Sequence, residues 1–138
     1  MEHPEISFGE DGKVVSVWVG LFGSQQAVDE YIVEQYDDDR DDEPISPFAA
    51  DISLTFYDHD FIETHHEQGL SRKGVAVFLE HSYGQSFGEE TWKAAKSLHV
   101  GEFDTVFLLY GYNHACYPQA SRQARQVTFI GTFPYREA

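Results

Sequence analysis

The chain has 138 residues, with 24 acidic and 9 basic side chains and a formal charge of -15. A content of 41% hydrophobic and 15% aromatic residues can bury one core, which excludes an intrinsically disordered protein. Fourteen acidic residues and one arginine fall between Asp29 and Glu67, so that stretch holds 13 of the 15 net negative charges. Such a patch repels nucleic-acid phosphates and anionic lipid heads, and it suits a basic protein partner.

The N-terminus Met1-Glu2-His3-Pro4-Glu5 is acidic where an export signal is basic and then apolar. No apolar run reaches the ~18 residues a membrane span needs. The single cysteine, Cys116, cannot form an internal disulfide and has no basic neighbour to activate it. The expected compartment is the cytoplasm.

In chain order, residues 13–20 (KVVSVWVG) form a β-branched and aromatic run that predicts a strand. Ser24 then predicts the N-cap of a helix over 25–36, whose apolar positions Val28, Tyr31, Ile32 and Tyr36 share one face. Residues 37–44 (DDDRDDEP) can bury nothing and read as a solvated loop. Ser46 and Pro47 start a short helix carrying Phe48 and Ile52 inward. Residues 54–57 suggest a short strand, and the polar stretch 58–67 receives no assignment. Residues 72–83 fit strand and helix alike; we favour a helix with Ser71 as its cap.

Residues 86–98 predict a firmer helix, with Glu89 and Glu90 early and Lys93 and Lys96 late, the order the helix dipole favours. Residues 104–112 and 126–133 read as strands, joined by a polar connection over 113–125. Trp18 and Trp92 read as core residues. There are no internal repeats. A strand, then helices, then two strands predicts a single α+β domain over residues 1–138, with its core at about 13–135 and a mostly antiparallel sheet packed with several helices.

Chemistry-bearing residues are densest over 57–67 (YDHDFIETHHE). Asp58, His59, Asp60, Glu63 and either His65 or His66 are of ligand type for zinc, manganese or iron. Their spacing argues against a metal-dependent enzyme: there is no His-Glu-x-x-His, and adjacent His65 and His66 cannot point the same way from a regular element. A solvated acidic face carrying histidines fits better. The run beginning at Asp37 also fails as a calcium loop, because its sixth position is Asp42 and its twelfth is Phe48. No Gly-x-Ser-x-Gly, phosphate-binding loop or dinucleotide fingerprint occurs. No catalytic residue, metal or cofactor is assigned. Nucleic-acid binding is disfavoured because the basic residues are few and scattered.

The chain resembles the immunity protein 22 family, small proteins encoded beside bacterial polymorphic toxins. Four segments carry the resemblance: VVSVWVG at 14–20 with Phe22 and Ser24, EYIVEQYD at 30–37, YDHDFIE at 57–63, and FIGTFPY at 129–135. Together with TVFLLY at 105–110, the likeness spans about 13–135. It implies a non-enzymatic α+β protein that binds and neutralises a cognate toxin domain in the cytoplasm.

Many toxins of such systems are nucleases with basic clefts, which an acidic inhibitor can cover. Complementary charge speeds capture, and aromatic anchors supply binding energy. The expected partner surface is Tyr36, Asp37, Asp38, Asp39, Asp41, Asp42, Glu43, Tyr57, Asp58, Asp60 and Glu63. Phe61 is a further candidate anchor, though it reads better as core. The alternatives are the metal-dependent enzyme and an acidic DNA-mimic or regulatory adaptor; the adaptor differs from the immunity protein only in its partner.

Overall fold

The computed structural model describes residues 13–33, 46–51, 61–81, 84–112 and 127–135. Strand β1 (Val14–Gly20) lacks the polar-out alternation of a half-solvated strand, and both of its faces are buried. It is accordingly central. β1 pairs antiparallel with β3 (Thr105–Tyr110) on one side and with β4 (Val127–Pro134) on the other. β2 (Ile62–His66) adds antiparallel to β3, so the strand order is β2-β3-β1-β4.

Register sorts the side chains into two cores. Val15, Val17 and Val19 lie opposite Tyr110, Leu108 and Val106 on one face. That face is covered by the 3-10 turn Leu70–Lys73 and by helices α3 (Ala76–Leu79) and α4 (Gly84–Ser97). Trp18 lies opposite Phe107 on the other face, which is covered by α1 (Gln25–Ile32) and α2 (Pro47–Asp51). A register shift in the β1–β4 pairing sets Val17 opposite Gly131 but Trp18 opposite Phe129. Strand alternation sends Phe129 and Ile130 into different cores, and the bulge leaves Ile130 as the extra residue between the two pairs.

The described residues thus form an α+β arrangement with an antiparallel sheet, as the element order predicts. Ser24 caps α1, its hydroxyl accepting from the Ala27 amide at 3.1 Å. Ser46 does the same for α2 through Ala49 at 3.1 Å, with Pro47 in the first turn and Phe48 fully buried. Trp18 is core at 1% exposure, whereas Trp92 is partly buried.

Four expectations need correction. The unassigned stretch 58–67 contains β2. Its pattern is weak because an edge strand with half-buried side chains tolerates Glu63, Thr64, His65 and His66. Ser71 caps no α-helix: it lies inside the 3-10 turn, and α3 is a four-residue helix entered from Val75. α4 begins at Gly84, so Glu89 and Glu90 lie beyond its first turn. The helix expected over 25–36 stops at Ile32, because Val33 is extended. The loop expected at 37–44, the strand at 54–57, Tyr36, Ile52 and the 113–125 connection lie outside the described residues.

Glycines set the α3–α4 spacing. A Cβ on Gly84 would stand 2.3 Å from the Phe78 carbonyl oxygen, and one on Gly88 would stand 2.7 Å from the Leu79 side chain. Spaced by four, the two glycines share one helix face and admit α3 at close range.

Candidate functional site

Charge separates across the sheet. In the α1–α2 layer, described residues 21–33 and 46–51 carry Asp29, Glu30 and Asp51 and no lysine or arginine. In the opposite layer, Leu70 to Ser97 carries Arg72, Lys73, Lys93 and Lys96 against Glu80, Glu89 and Glu90. There the charges pair, with Lys73 at 3.0 Å from Glu67 and 3.7 Å from Glu80, and Lys93 at 4.0 Å from Glu90. The hydrogen bond from Lys73, joined by that from His65, holds the Glu67 carboxyl below its ordinary range. The same contact with Glu67 holds Lys73 above its own.

The outer face of α1 follows from its periodicity. Val28 and Tyr31 turn into the aromatic core, which leaves Gln25, Gln26, Asp29 and Glu30 exposed. The two glutamines brace the two carboxylates one turn on, at 2.9 Å for Gln25–Asp29 and 3.2 Å for Gln26–Glu30. Leu21, just before the helix, is 60% exposed, and Val33, just after it, is 48% exposed. Asp51 accepts a 2.6 Å hydrogen bond from the Tyr31 hydroxyl and so ties α2 to α1.

The polar edge at β2 divides by strand alternation. Glu63 and His65 share the face toward α3, where Glu63 meets His81 Nδ1 at 2.7 Å and Tyr110 Oη at 3.4 Å. His65 lies 3.2 Å from Glu67, and its ring meets the His81 ring edge-on at 5.7 Å. His66 points the other way, to Thr105 Oγ1 at 3.0 Å. The opposed directions expected of His65 and His66 are therefore present. Among the described residues no three His, Cys, Asp or Glu side chains are grouped to hold a metal ion. His81 carries no sequence signal; its side chain is only 6% exposed, and its Nε2 has no hydrogen-bond partner.

Asp104 joins the two ends of this arrangement. One carboxylate oxygen accepts from the Phe22 amide and the other from the Gly23 amide, both at 2.8 Å, and Thr105 donates at 2.8 Å. Its own amide donates to Gly20, and its carbonyl accepts from Glu67. Burial pushes the Asp104 carboxyl up, but the two amide donors, the Thr105 hydroxyl and nearby His66 outweigh it and hold the group below its ordinary range. The segment that launches α1 is thereby pinned to the start of β3.

Of the expected partner residues, Glu63 alone is described; it is bound within the His81–Tyr110 contacts. Tyr36, Asp37, Asp38, Asp39, Asp41, Asp42, Glu43, Tyr57, Asp58 and Asp60, together with His59, lie outside the described residues. Phe61 is not core as expected: it stands at the open end of β2 and is 50% exposed. A cleft of about 220 Å³ beside α4, lined by Trp92, Lys96, Glu102 and Phe103 among others, mixes charges and has no acidic bias. Among the described residues no helix is long and apolar enough to cross a membrane.

Comparison with known proteins gives one family match, to the model described as Immunity protein 22, over residues 15–136. No curated protein and no solved structure matches the chain.

Proposed function

The chain belongs to the Immunity protein 22 family, and from that membership we propose that it binds and neutralises a cognate bacterial toxin in the cytoplasm, without turnover. The toxin face it meets is basic, as in a nuclease-type domain, and the acidic surface between Asp29 and Glu67 makes the contact. The observation that carries this reading is the one-sided charge: the lysines and arginines of 70–97 lie across the sheet from a layer whose described charges are all acidic. Asp37, Asp38, Asp39, Asp41, Asp42, Glu43, Asp58 and Asp60 steer the encounter, and Tyr36 and Tyr57 anchor the complex, while Glu63 is held toward α3 by His81 and Tyr110. No cofactor takes part.

The test is inhibition and binding kinetics with the cognate toxin domain. Inhibition titrates to molar equivalence, because a binder without turnover is consumed one for one. Association slows steeply as salt rises, since exposed charges are screened beyond ~8 Å at physiological ionic strength. Replacing Asp38, Asp39, Asp41 and Asp42 with Asn lowers the on-rate, while Tyr57→Ala raises the off-rate at a cost of about 2 kcal/mol. Salt-independent association, unmoved by the four Asn substitutions, assigns the patch to solubility. Toxin activity unaffected by excess chain removes the reading altogether.

A further inference from the structure

Three properties coincide on one side of the molecule. The described charges of the α1–α2 layer are all acidic; the two carboxylates on the outer face of α1 are held in place by glutamines one turn before them; and exposed apolar side chains stand at both ends of that helix. The helix is about 12 Å long, with exposed Leu21 four residues before its first residue and exposed Val33 directly after its last. The outer surface of α4 differs: Glu89, Glu90, Lys93 and Lys96 alternate in sign, and no large apolar residue of that helix is exposed.

We propose that the outer face of α1, with Asp29 and Glu30 at its centre and Leu21 and Val33 at its ends, is the surface on which the toxin's basic face docks, leaving the α3–α4 layer free. The inference rests on the toxin-binding reading and names the surface that reading uses. Charge complementarity selects the occupant. Phosphate backbones and anionic lipid heads are repelled by a layer whose described charges are all acidic, whereas lysine and arginine side chains are drawn to it. The glutamine contacts reduce the side-chain freedom lost when a partner cation arrives. The exposed apolar side chains that flank the helix in the chain supply contacts that outlast screening, which charge alone does not. The partner is therefore a folded basic surface that presents apolar side chains or pockets beside its cations.

Two charge-matched reversals separate this surface from the rest of the molecule. The first is Asp29→Lys with Glu30→Lys on α1; the second is Glu89→Lys with Glu90→Lys on α4. All four residues are exposed, so near-ultraviolet circular dichroism should show both variants folded; Asp29→Asn with Glu30→Gln is the milder version. Against the toxin domain at low salt, the α1 reversal slows association about tenfold or more, and the α4 reversal slows it by less than about threefold, the share due to net charge. Leu21→Ser and Val33→Ser raise the off-rate several-fold with the on-rate unchanged.

A second probe needs no toxin. A Lys/Leu amphipathic dodecapeptide titrated into the isotope-labelled chain should shift the amides of residues 21–33 and spare those of 84–97. Equal effects of the two reversals, or peptide shifts that avoid 21–33, overturn the docking surface while leaving the toxin reading intact. Failure of the unmodified chain to inhibit the toxin, with the peptide still mapping to α1, overturns the reading and leaves only a basic-peptide surface.

Discussion

Replacing Asp104 with alanine removes three acceptor contacts at once: the Phe22 and Gly23 amides and the Thr105 hydroxyl, each at 2.8 Å. A hydrogen bond to a charged group contributes about 1.5–3 kcal/mol when its loss leaves a buried partner stranded. Gly23 is exposed, and Thr105 retains His66 at 3.0 Å, so water and His66 replace part of two of these contacts. The Phe22 amide, half-buried, bears the full loss. The expected destabilisation is about 3 kcal/mol for Asp104→Ala and about 2 kcal/mol for Asp104→Asn, whose oxygen can serve the Phe22 amide and the Thr105 hydroxyl while its NH2 group faces the Gly23 amide donor.

At roughly 4 °C per kcal/mol for a domain of this size, Tm falls by about 8–12 °C. Urea and thermal unfolding followed by tryptophan fluorescence measure this directly, since Trp18 lies in the core beneath α1 and α2. The pH dependence supplies an independent check. The native carboxyl titrates below its unfolded value of about 3.9, so its stabilisation is complete above that value and lost as pH falls through the lower native one. The gap between the unmodified protein and Asp104→Asn should therefore close as pH drops from about 5 toward 3. A loss below about 0.5 kcal/mol, or parallel acid limbs in the two proteins, refutes the assignment of Asp104 as the tie between the α1 segment and the sheet.

Gly88→Ala places a methyl group 2.7 Å from Leu79, so it should lower stability by about 1–3 kcal/mol through overpacking, against the ~1 kcal/mol that alanine gains as a helix former. Gly84→Ala should cost more, because its methyl meets the Phe78 carbonyl; urea midpoints rank the two, and a stabilised Gly88→Ala would mean the helices part freely. Glu63 and His81 should behave as a coupled pair: His81→Leu and Glu63→Leu each destabilise, and the double variant loses less than their sum by about 1 kcal/mol or more. Strict additivity in that double-mutant cycle would show the 2.7 Å contact to be energetically idle.

The strands that build the sheet's centre were legible because burial leaves a composition. VVSVWVG and TVFLLY are long apolar runs without solvent-side polar residues, and each strand is covered on both faces. The helix starts at Ser24 and Ser46 were legible because a capping side chain acts within three residues of itself. β2 was not, since an edge strand facing polar neighbours carries IETHH, with a single large apolar residue. Asp104 gave no signal because Phe22 and Gly23 lie more than 80 positions away. Phe61 misled for a related reason: an aromatic beside a strand usually marks core, but this one stands exposed at the start of an edge strand.

Among the described residues, the α1–α2 layer offers its carboxylates no lysine or arginine, unlike its opposite side. Carboxylates of one sign repel each other and oppose compaction, and α1 and α2 are only eight and five residues long. Aromatic packing answers this. Phe48 meets Trp18 edge-on at 5.2 Å and stacks on Phe107 at 5.2 Å, while Tyr31 lies 5.7 Å from Phe48 and 4.9 Å from Phe22. Each such pair contributes about 0.5–1.5 kcal/mol beyond its burial. Had lysines on the same layer neutralised Asp29 and Glu30, as Lys73 does for Glu67 and Glu80 across the sheet, the repulsion would vanish, and so would the field that draws a basic partner. Anchoring the short helices from beneath with rings lets the outer face keep its charge.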